Sequence, residues 1–298
     1  MRILLLGKNG QVGWELQRSL APLGQVLALD SKSEDYCGDL NNIQGLVATT
    51  QRFAPDIIVN AAAYTAVDRA EVDPDQALRV NAEAPAQLAY QAKNMNALLV
   101  HYSTDYVFSG NGDTPWLESD TTGPLSVYGA TKLQGEQAIQ SSGCAHLILR
   151  TSWVYAARGN NFAKTILRHA AERESLNVID DQFGAPTGAD LLADVTAHAI
   201  RAMVLNPQLE GVYHLTATGD TTWYRYACFV IEQAQSSGMP VKATPSSMSA
   251  IATTASPSPA ERPRNSLLNT QKFQNAFSLH LPEWECGVAR MLKEIIEK

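Results

Sequence analysis

Seven residues near the start constrain this chain most. Gly7-Lys8-Asn9-Gly10-Gln11-Val12-Gly13 follows the run Arg2–Leu6, which reads as a buried strand, and opens Gln11–Leu20, which reads as a helix. Glycines spaced by three let the backbone turn tightly and approach a pyrophosphate without side-chain collision. The helix N-terminus beyond them offers unpaired N–H groups and a partial positive charge. The same glycines also suit an ordinary strand–helix turn. The strand before and the helix after turn the pattern into an expected phosphate cradle.

The pattern continues through the first half. Val26–Leu29, Asp56–Asn60, Leu98–Ser103 and Ala145–Arg150 read as strands, and Ala77–Lys93 and Ser126–Ile139 as helices. Apolar strands separated by helices predict βαβ units and a parallel sheet covered on both faces. With right-handed crossovers this is an α/β, doubly wound, Rossmann-like fold. After Arg150 the pattern loosens. Helices are expected at Phe162–Glu172, Leu191–Met203 and Trp223–Gln233, and a strand at Gly211–Leu215. The Ala-, Ser-, Thr- and Pro-rich segment Ala243–Pro263 is expected to be a long irregular loop. The expected division is a dinucleotide-binding domain of residues 1–154 with returning segments near 189–217. A smaller C-terminal substrate-binding lobe takes residues 155–188 and 218–298.

Composition narrows the functions. Of 298 residues, 45% are hydrophobic and 18% charged, a globular balance, and the formal net charge is −7. An acidic chain is a poor partner for nucleic acid or an anionic membrane, so neither is expected. The start lacks a secretory apolar core, and no apolar stretch approaches a membrane span. Cys37, Cys144, Cys228 and Cys286 lie far apart without a paired motif, which predicts free thiols and a cytoplasmic protein.

Two further features carry chemistry. Asp30 closes the second strand about 20 residues after the turn, where an acid binds the adenosine ribose hydroxyls. Ser31 and Lys32 follow and suit a 2′-phosphate, so NAD and NADP both remain open. Tyr128 and Lys132 stand four residues apart, on one face of a helix. A nearby ammonium would stabilise a phenolate and lower the tyrosine pKa, fitting Tyr128 to give a proton to a carbonyl oxygen. Thr104 lies at the end of the fourth strand, on the edge that lines the ligand crevice in such sheets, and would supply a hydroxyl to the same oxygen.

With the glycine turn, Thr104, Tyr128 and Lys132 in this order, the chain resembles the extended short-chain dehydrogenase/reductase family over nearly its whole length. Asp39-Leu40 resembles the family's adenine-contacting pair. Asn60–Asp68 looks like the cofactor-side loop after the third strand, and Asn81 like the asparagine of the next helix. The segments 103–110, 150–155 and 262–267 are similar to those of nucleotide-sugar reductases within the family.

The resemblance implies reduction of the ketone of a dTDP-linked keto-sugar by NADH or NADPH, for bacterial surface polysaccharide. It makes Tyr128 the proton donor, with Lys132 binding ribose and Thr104 and Asp105 contacting the sugar. Gly7, Asn9, Gly10, Gln11, Val12 and Gly13 would form the pyrophosphate turn, and Ala62, Ala63, Tyr64, Thr65 and Tyr102 would line the cofactor. Trp153 would stack beside the sugar, or else serve as core. Arg262 suits bidentate diphosphate contact, or else is a solvated loop charge. Mg²⁺ and a homodimer are further implications. Glu15 is a metal candidate only if the site forms between subunits, and the acidic run Asp68, Glu71, Asp73 and Asp75 is better explained as a solvated helix start than as a metal site. Alternatives are another nucleotide-sugar reductase, an epimerase or dehydratase of the superfamily, or a non-catalytic regulatory subunit of this fold. Against the dehydratase, Tyr106 stands where that family places a carboxylate.

Overall fold

The computed structural model describes residues 1–297. Its central layer is a six-stranded, wholly parallel sheet. In chain order, β1 is Arg2–Leu6, β2 Gln25–Leu29, β3 Ile57–Asn60, β4 Leu98–Thr104 and β5 His146–Thr151. Next come β6 Val154–Tyr155, β7 Leu176–Ile179, β8 Phe183–Gly184, β9 Thr187–Gly188, β10 Gly211–His214, β11 Thr221–Thr222 and β12 Met248–Ile251. The sheet order is β2-β1-β3-β4-β5-β10. The order reverses between β1 and β3, and the crevice outside the strand ends at such a switch point is where ligands bind.

Helices α1 Gln11–Leu20, α2 Ile43–Phe53, α3 Val67–Ala70, α4 Pro74–Leu78, α5 Ala84–Met95 and α6 Val127–Ser142 follow the first strands. Helices α7 Phe162–Glu172, α8 Ala189–Leu205, α9 Trp223–Ser236, α10 Gln271–Phe277 and α11 Trp284–Ile296 complete the chain. The strand period of two sorts β1 between both covers. Ile3 and Leu5 pack with Leu16 and Leu20 of α1, Leu192 and Ile200 of α8, and Phe273 of α10. Leu4 and Leu6 face Leu46 and Phe53 of α2, Leu88 of α5 and Ile139 of α6. Full burial of such side chains contributes about 1.5–3 kcal/mol each, which is why these runs become central strands.

A second, smaller core gathers α7, α9 and α11 around Ala163, Tyr226, Val230 and Val288. Three two-stranded pairs surround it: β11 with β8, β12 with β7, and β6 with β9.

Several expected elements change. Ala243–Pro263 is not wholly irregular, because Met248–Ile251 pairs in parallel with Leu176–Ile179. The helix expected over Ala77–Lys93 is interrupted by a π-helical turn at Arg79–Glu83. The expectation carries no helix between residues 31 and 55, yet α2 forms there. Asn42 caps it by accepting from the Gly45 N–H at 2.9 Å, and Ala54 ends it in the left-handed region.

Candidate active site

A cleft of about 760 Å³ opens at the carboxyl ends of the sheet strands. The glycine turn forms one end. Gly7 has φ +90°, and its N–H donates to the Leu29 carbonyl at 2.8 Å, tying β1 to β2. A Cβ at Gly13 would collide with the Gly7 carbonyl oxygen. The first intrahelical bond of α1 runs from Trp14 N–H to Gly10 O, at 2.9 Å. Gly10 brings no side-chain cap, whereas α2, α6, α7 and α9 each begin on a capping side chain. The start of α1 is therefore left free for an anion.

Asp30 bounds the end of the cleft beside β2. Asn9 donates to its carboxylate, Ser33 Oγ lies 3.0 Å away and Lys8 Nζ 4.0 Å away. Burial tends to raise the Asp30 pKa, but these hydrogen bonds and Lys8 outweigh it and hold it below the ordinary value. Asp39, Leu40, Ala62, Ala63, Tyr64 and Thr65 line the same cleft. Asn81 pins this wall to α6. Its Oδ1 accepts from the Tyr64 N–H at 2.9 Å, and its Nδ2 reaches Thr131 Oγ1 at 3.2 Å, between Tyr128 and Lys132.

The chemical end collects Thr104, Asp105, Tyr128 and Lys132, all lining the cleft. Ser126 caps α6 through the Gly129 N–H at 3.2 Å, and the next turns carry Tyr128 and Lys132. The Glu136–Arg150 pair, buried and bidentate at 2.7–3.2 Å, fastens α6 to β5. Burial raises the Tyr128 pKa to about 12, opposed by a hydrogen bond with Thr104 and reinforced by Asp105.

The expected stabilisation of the Tyr128 phenolate by Lys132 does not offset this rise. The Lys132 Nζ donates to the Tyr102 carbonyl at 2.6 Å and lies 3.1 Å from His101 Nε2. Its ammonium is thus engaged within the interior, and burial brings the lysine down to about 8, against the pull of Glu136. Thr104 Oγ1 donates to Asp105 Oδ1 at 3.1 Å, and the Asp105 Oδ2 is buried without a partner. Burial raises the Asp105 carboxyl to about 6, opposed by hydrogen bonds from Ser266 and Thr104.

One wall of the cleft is aromatic. Trp153 adopts φ +47°, a left-handed conformation costing a bulky residue about 1–2 kcal/mol. Its indole stacks on Trp223 at 3.5 Å and 12°. A Cβ at Gly184 would meet that ring at 2.5–2.8 Å, so the glycine makes room for it. Trp223, at the start of α9, is fixed by its indole N–H to Gln182 at 3.1 Å. Nothing in the sequence links these two tryptophans 70 residues apart, and Trp223 escaped the sequence reading. Two expected residues stand away from the cleft lining. Gly13 lies behind the turn, and Arg262 pairs with Asp68 at 2.7 Å.

The family described as RmlD substrate binding domain matches residues 1–297. The dTDP-4-dehydrorhamnose reductase of Escherichia coli K12 is 59% identical, over 99% of this chain and 98% of that protein. The chain belongs to the dTDP-4-dehydrorhamnose reductase family. The Salmonella typhimurium LT2 enzyme of this name is 57% identical over the same shares. A crystal structure of dTDP-4-dehydrorhamnose reductase from Bacillus anthracis in complex with NADP has a TM-score of 0.87 and 33% identity. That match covers 98% of this chain and 99% of that one.

A dinucleotide suits the residues this family member presents. The uncapped helix start faces the cleft, and the buried Ser103, Thr151 and Ser152 hydroxyls and the Tyr64 hydroxyl line it without partners. A metal does not suit them. Among the described residues no three His, Cys, Asp or Glu side chains gather as a metal site. Glu15 lies beside Arg18 at 3.6 Å, Asp68 pairs with Arg262, and Glu71 accepts from the Val127 N–H at 2.9 Å. Mg²⁺ therefore enters no step below. Among the same residues, no helix is long and apolar enough to cross a membrane.

Proposed function

We propose that this chain reduces the C4 ketone of dTDP-4-dehydro-L-rhamnose to dTDP-L-rhamnose, using NADH or NADPH, with Tyr128 as proton donor. The observation that carries the reading is the meeting of Thr104, Asp105, Tyr128 and Lys132 on one wall of the cleft that begins at the phosphate turn. Bound nicotinamide would supply the hydride. The chain's own residues do the rest.

Gly10, Gln11 and Val12 hold the pyrophosphate at the free start of α1, and Asp30 receives the adenosine ribose. Tyr128, held up to about 12, keeps its proton at neutral pH and can pass it to O4 as charge develops there. Thr104, on turning its hydroxyl from Asp105 to the phenol, steadies the oxygen that loses the proton. Lys132 keeps one N–H free of the two interior contacts, for the nicotinamide ribose. Asp105 Oδ2, buried and unpartnered, accepts from a sugar hydroxyl. Trp153 and Trp223 exclude water from the sugar's face.

Elimination, the dehydratase reaction, lacks its base. Tyr106 occupies the required position, and burial and Asp105 push its phenol above the ordinary value.

The test follows NAD(P)H absorbance with dTDP-4-dehydro-L-rhamnose generated in situ. Stoichiometric oxidation with formation of dTDP-L-rhamnose is expected. Cofactor binding without oxidation would overturn the substrate and pass the site to another nucleotide sugar.

A further inference from the structure

Lys132 is among the largest side chains sealed in the interior, and the mechanism uses one of its three N–H bonds. A second goes inward to the Tyr102 carbonyl, and Nζ lies 3.1 Å from His101 Nε2. His101 lies on β4 and is fully buried. Its Nδ1 lies 3.1 Å from Nδ2 of Asn60, at the end of β3. The Asn60 Oδ1 is engaged by the Ala62 N–H at 3.2 Å, and Ala62 lines the cleft. A continuous chain thus runs from the cleft wall through Asn60 and His101 to the lysine.

We propose that His101, braced by Asn60, is a positioning residue for Lys132, fixing where the ammonium sits and at which pH it gives up its charge. The proposal builds on the role given to Lys132 above. Burial, then Lys132, holds the His101 imidazole well below its ordinary pKa, so the ring stays neutral with one N–H and one acceptor. Beside a charged Lys132 the ring must accept at Nε2 and carry its proton on Nδ1. Beside a neutral Lys132 it can donate from Nε2 to the amine lone pair while Nδ1 accepts from Asn60. Nζ and the ring hold four protons in the first state and three in the second, a difference of one. Asn60 presents its N–H to the ring because its oxygen is committed to Ala62, the arrangement that matches the second state.

The surroundings leave the ring this influence. From its own helix Lys132 faces Tyr128 and Glu136; from β4, His101 and Tyr102, with Asp105 just beyond the strand end. From β5 comes Arg150. Glu136, which favours the ammonium, is already held bidentate by Arg150. The Tyr102 carbonyl is then the neutral acceptor for the ammonium, whereas a ring that accepts from Asn60 at Nδ1 turns its Nε2–H toward Nζ and favours the neutral amine.

The decisive measurement is an NMR titration of ε-¹³C-lysine in the ligand-free protein, paired with the pH profile of kcat. His101→Phe removes the Nε2–H donor facing Nζ. The Lys132 midpoint and the alkaline limb of kcat are both expected to move up by about one pH unit, since the neutral amine loses a hydrogen bond worth roughly that much. His101→Gln, which keeps an N–H donor, is expected to reverse most of the shift. A folded His101→Phe with an unmoved midpoint overturns the proposal, and so does a Gln variant that shifts as far as Phe. If His101→Phe does not fold, ¹⁵N spectra of the wild-type imidazole decide. A tautomer change through the Lys132 midpoint supports the coupling, and a constant tautomer overturns it. Failure of the catalytic role is read separately, since Lys132→Met with undiminished turnover would remove that role and leave the ligand-free titration standing.

Discussion

The two ends of the cleft are built by different means. The phosphate end is backbone: a glycine at φ +90°, a helix start without a cap, and strand ends fixed by parallel register. The sugar end is side chain: two stacked indoles, a buried carboxylate and hydroxyls from segments far apart in sequence. Backbone recognition follows from the sheet and has little freedom. Side-chain recognition depends on pairs that can be exchanged one at a time. Substitutions at the two ends should therefore separate cofactor affinity from substrate affinity, and residues at the seam should affect turnover alone.

Tyr128→Phe sits at the seam and should have the largest effect. A loss of about 10³-fold in kcat is expected, with cofactor affinity kept, because a general acid typically contributes 10²–10⁴-fold. Stopped-flow turnover beside NADPH fluorescence binding checks this, and near-normal kcat would falsify the donor assignment. Gly13→Val attacks the backbone end. The new side chain meets the Gly7 carbonyl, so NADPH affinity should fall by about 100-fold or folding should fail outright. Affinity surviving that change would mean that the turn is not the cradle.

Trp223→Ala attacks the other end. It removes the stacking partner of Trp153, and KM for the sugar nucleotide should rise about tenfold, an aromatic pair adding about 0.5–1.5 kcal/mol beyond its buried area. Cofactor affinity measured by the same fluorescence should not change. If both affinities fell together, the two ends would be one unit and the contrast would be lost.

The effect expected at Asp105→Asn falls on stability, and it is pH-dependent. The Asp105 carboxyl is raised from 3.8 to about 6 in the folded chain, so the folded state pays for a buried charge above pH 6. Below about 4 both states are protonated and that cost disappears. The Asn variant should therefore melt higher at pH 8, by an amount on the order of 2–3 kcal/mol, with the gain fading as pH falls toward 4. Substrate KM should worsen at the same time. Equal melting curves at pH 8 would show that the carboxylate is better accommodated than its burial suggests.

The same contrast explains what the sequence shows of the molecule. Sheet strands are read easily because burial on both faces demands unbroken apolar runs, as in Leu4–Leu6 and Ile57–Val59. Gln11–Leu20 and Phe162–Glu172 form helices with the expected limits. The two-residue pairs β6, β8, β9 and β11 are too short for any period to show. In β12 the neighbour β7 supplies the partner, and Ser249 and Ala250 carry no strand signal of their own. Among site residues, those near a motif were legible: Tyr128, Lys132 and the turn. Trp223 and the His101 brace were not, since each acquires its meaning from a residue that only the fold brings near.

The edge strand β10 has a consequence for synthesis. Gly211–His214 hydrogen-bonds to β5, which is complete 60 residues earlier in the chain. During translation β5 waits with an open edge while every element from β6 to α8 emerges, a period in which unpaired strands invite pairing with other chains. The nascent protein is thus most exposed to aggregation just before its cofactor-binding layer closes, and a fragment ending near residue 154 would hold that vulnerable state permanently.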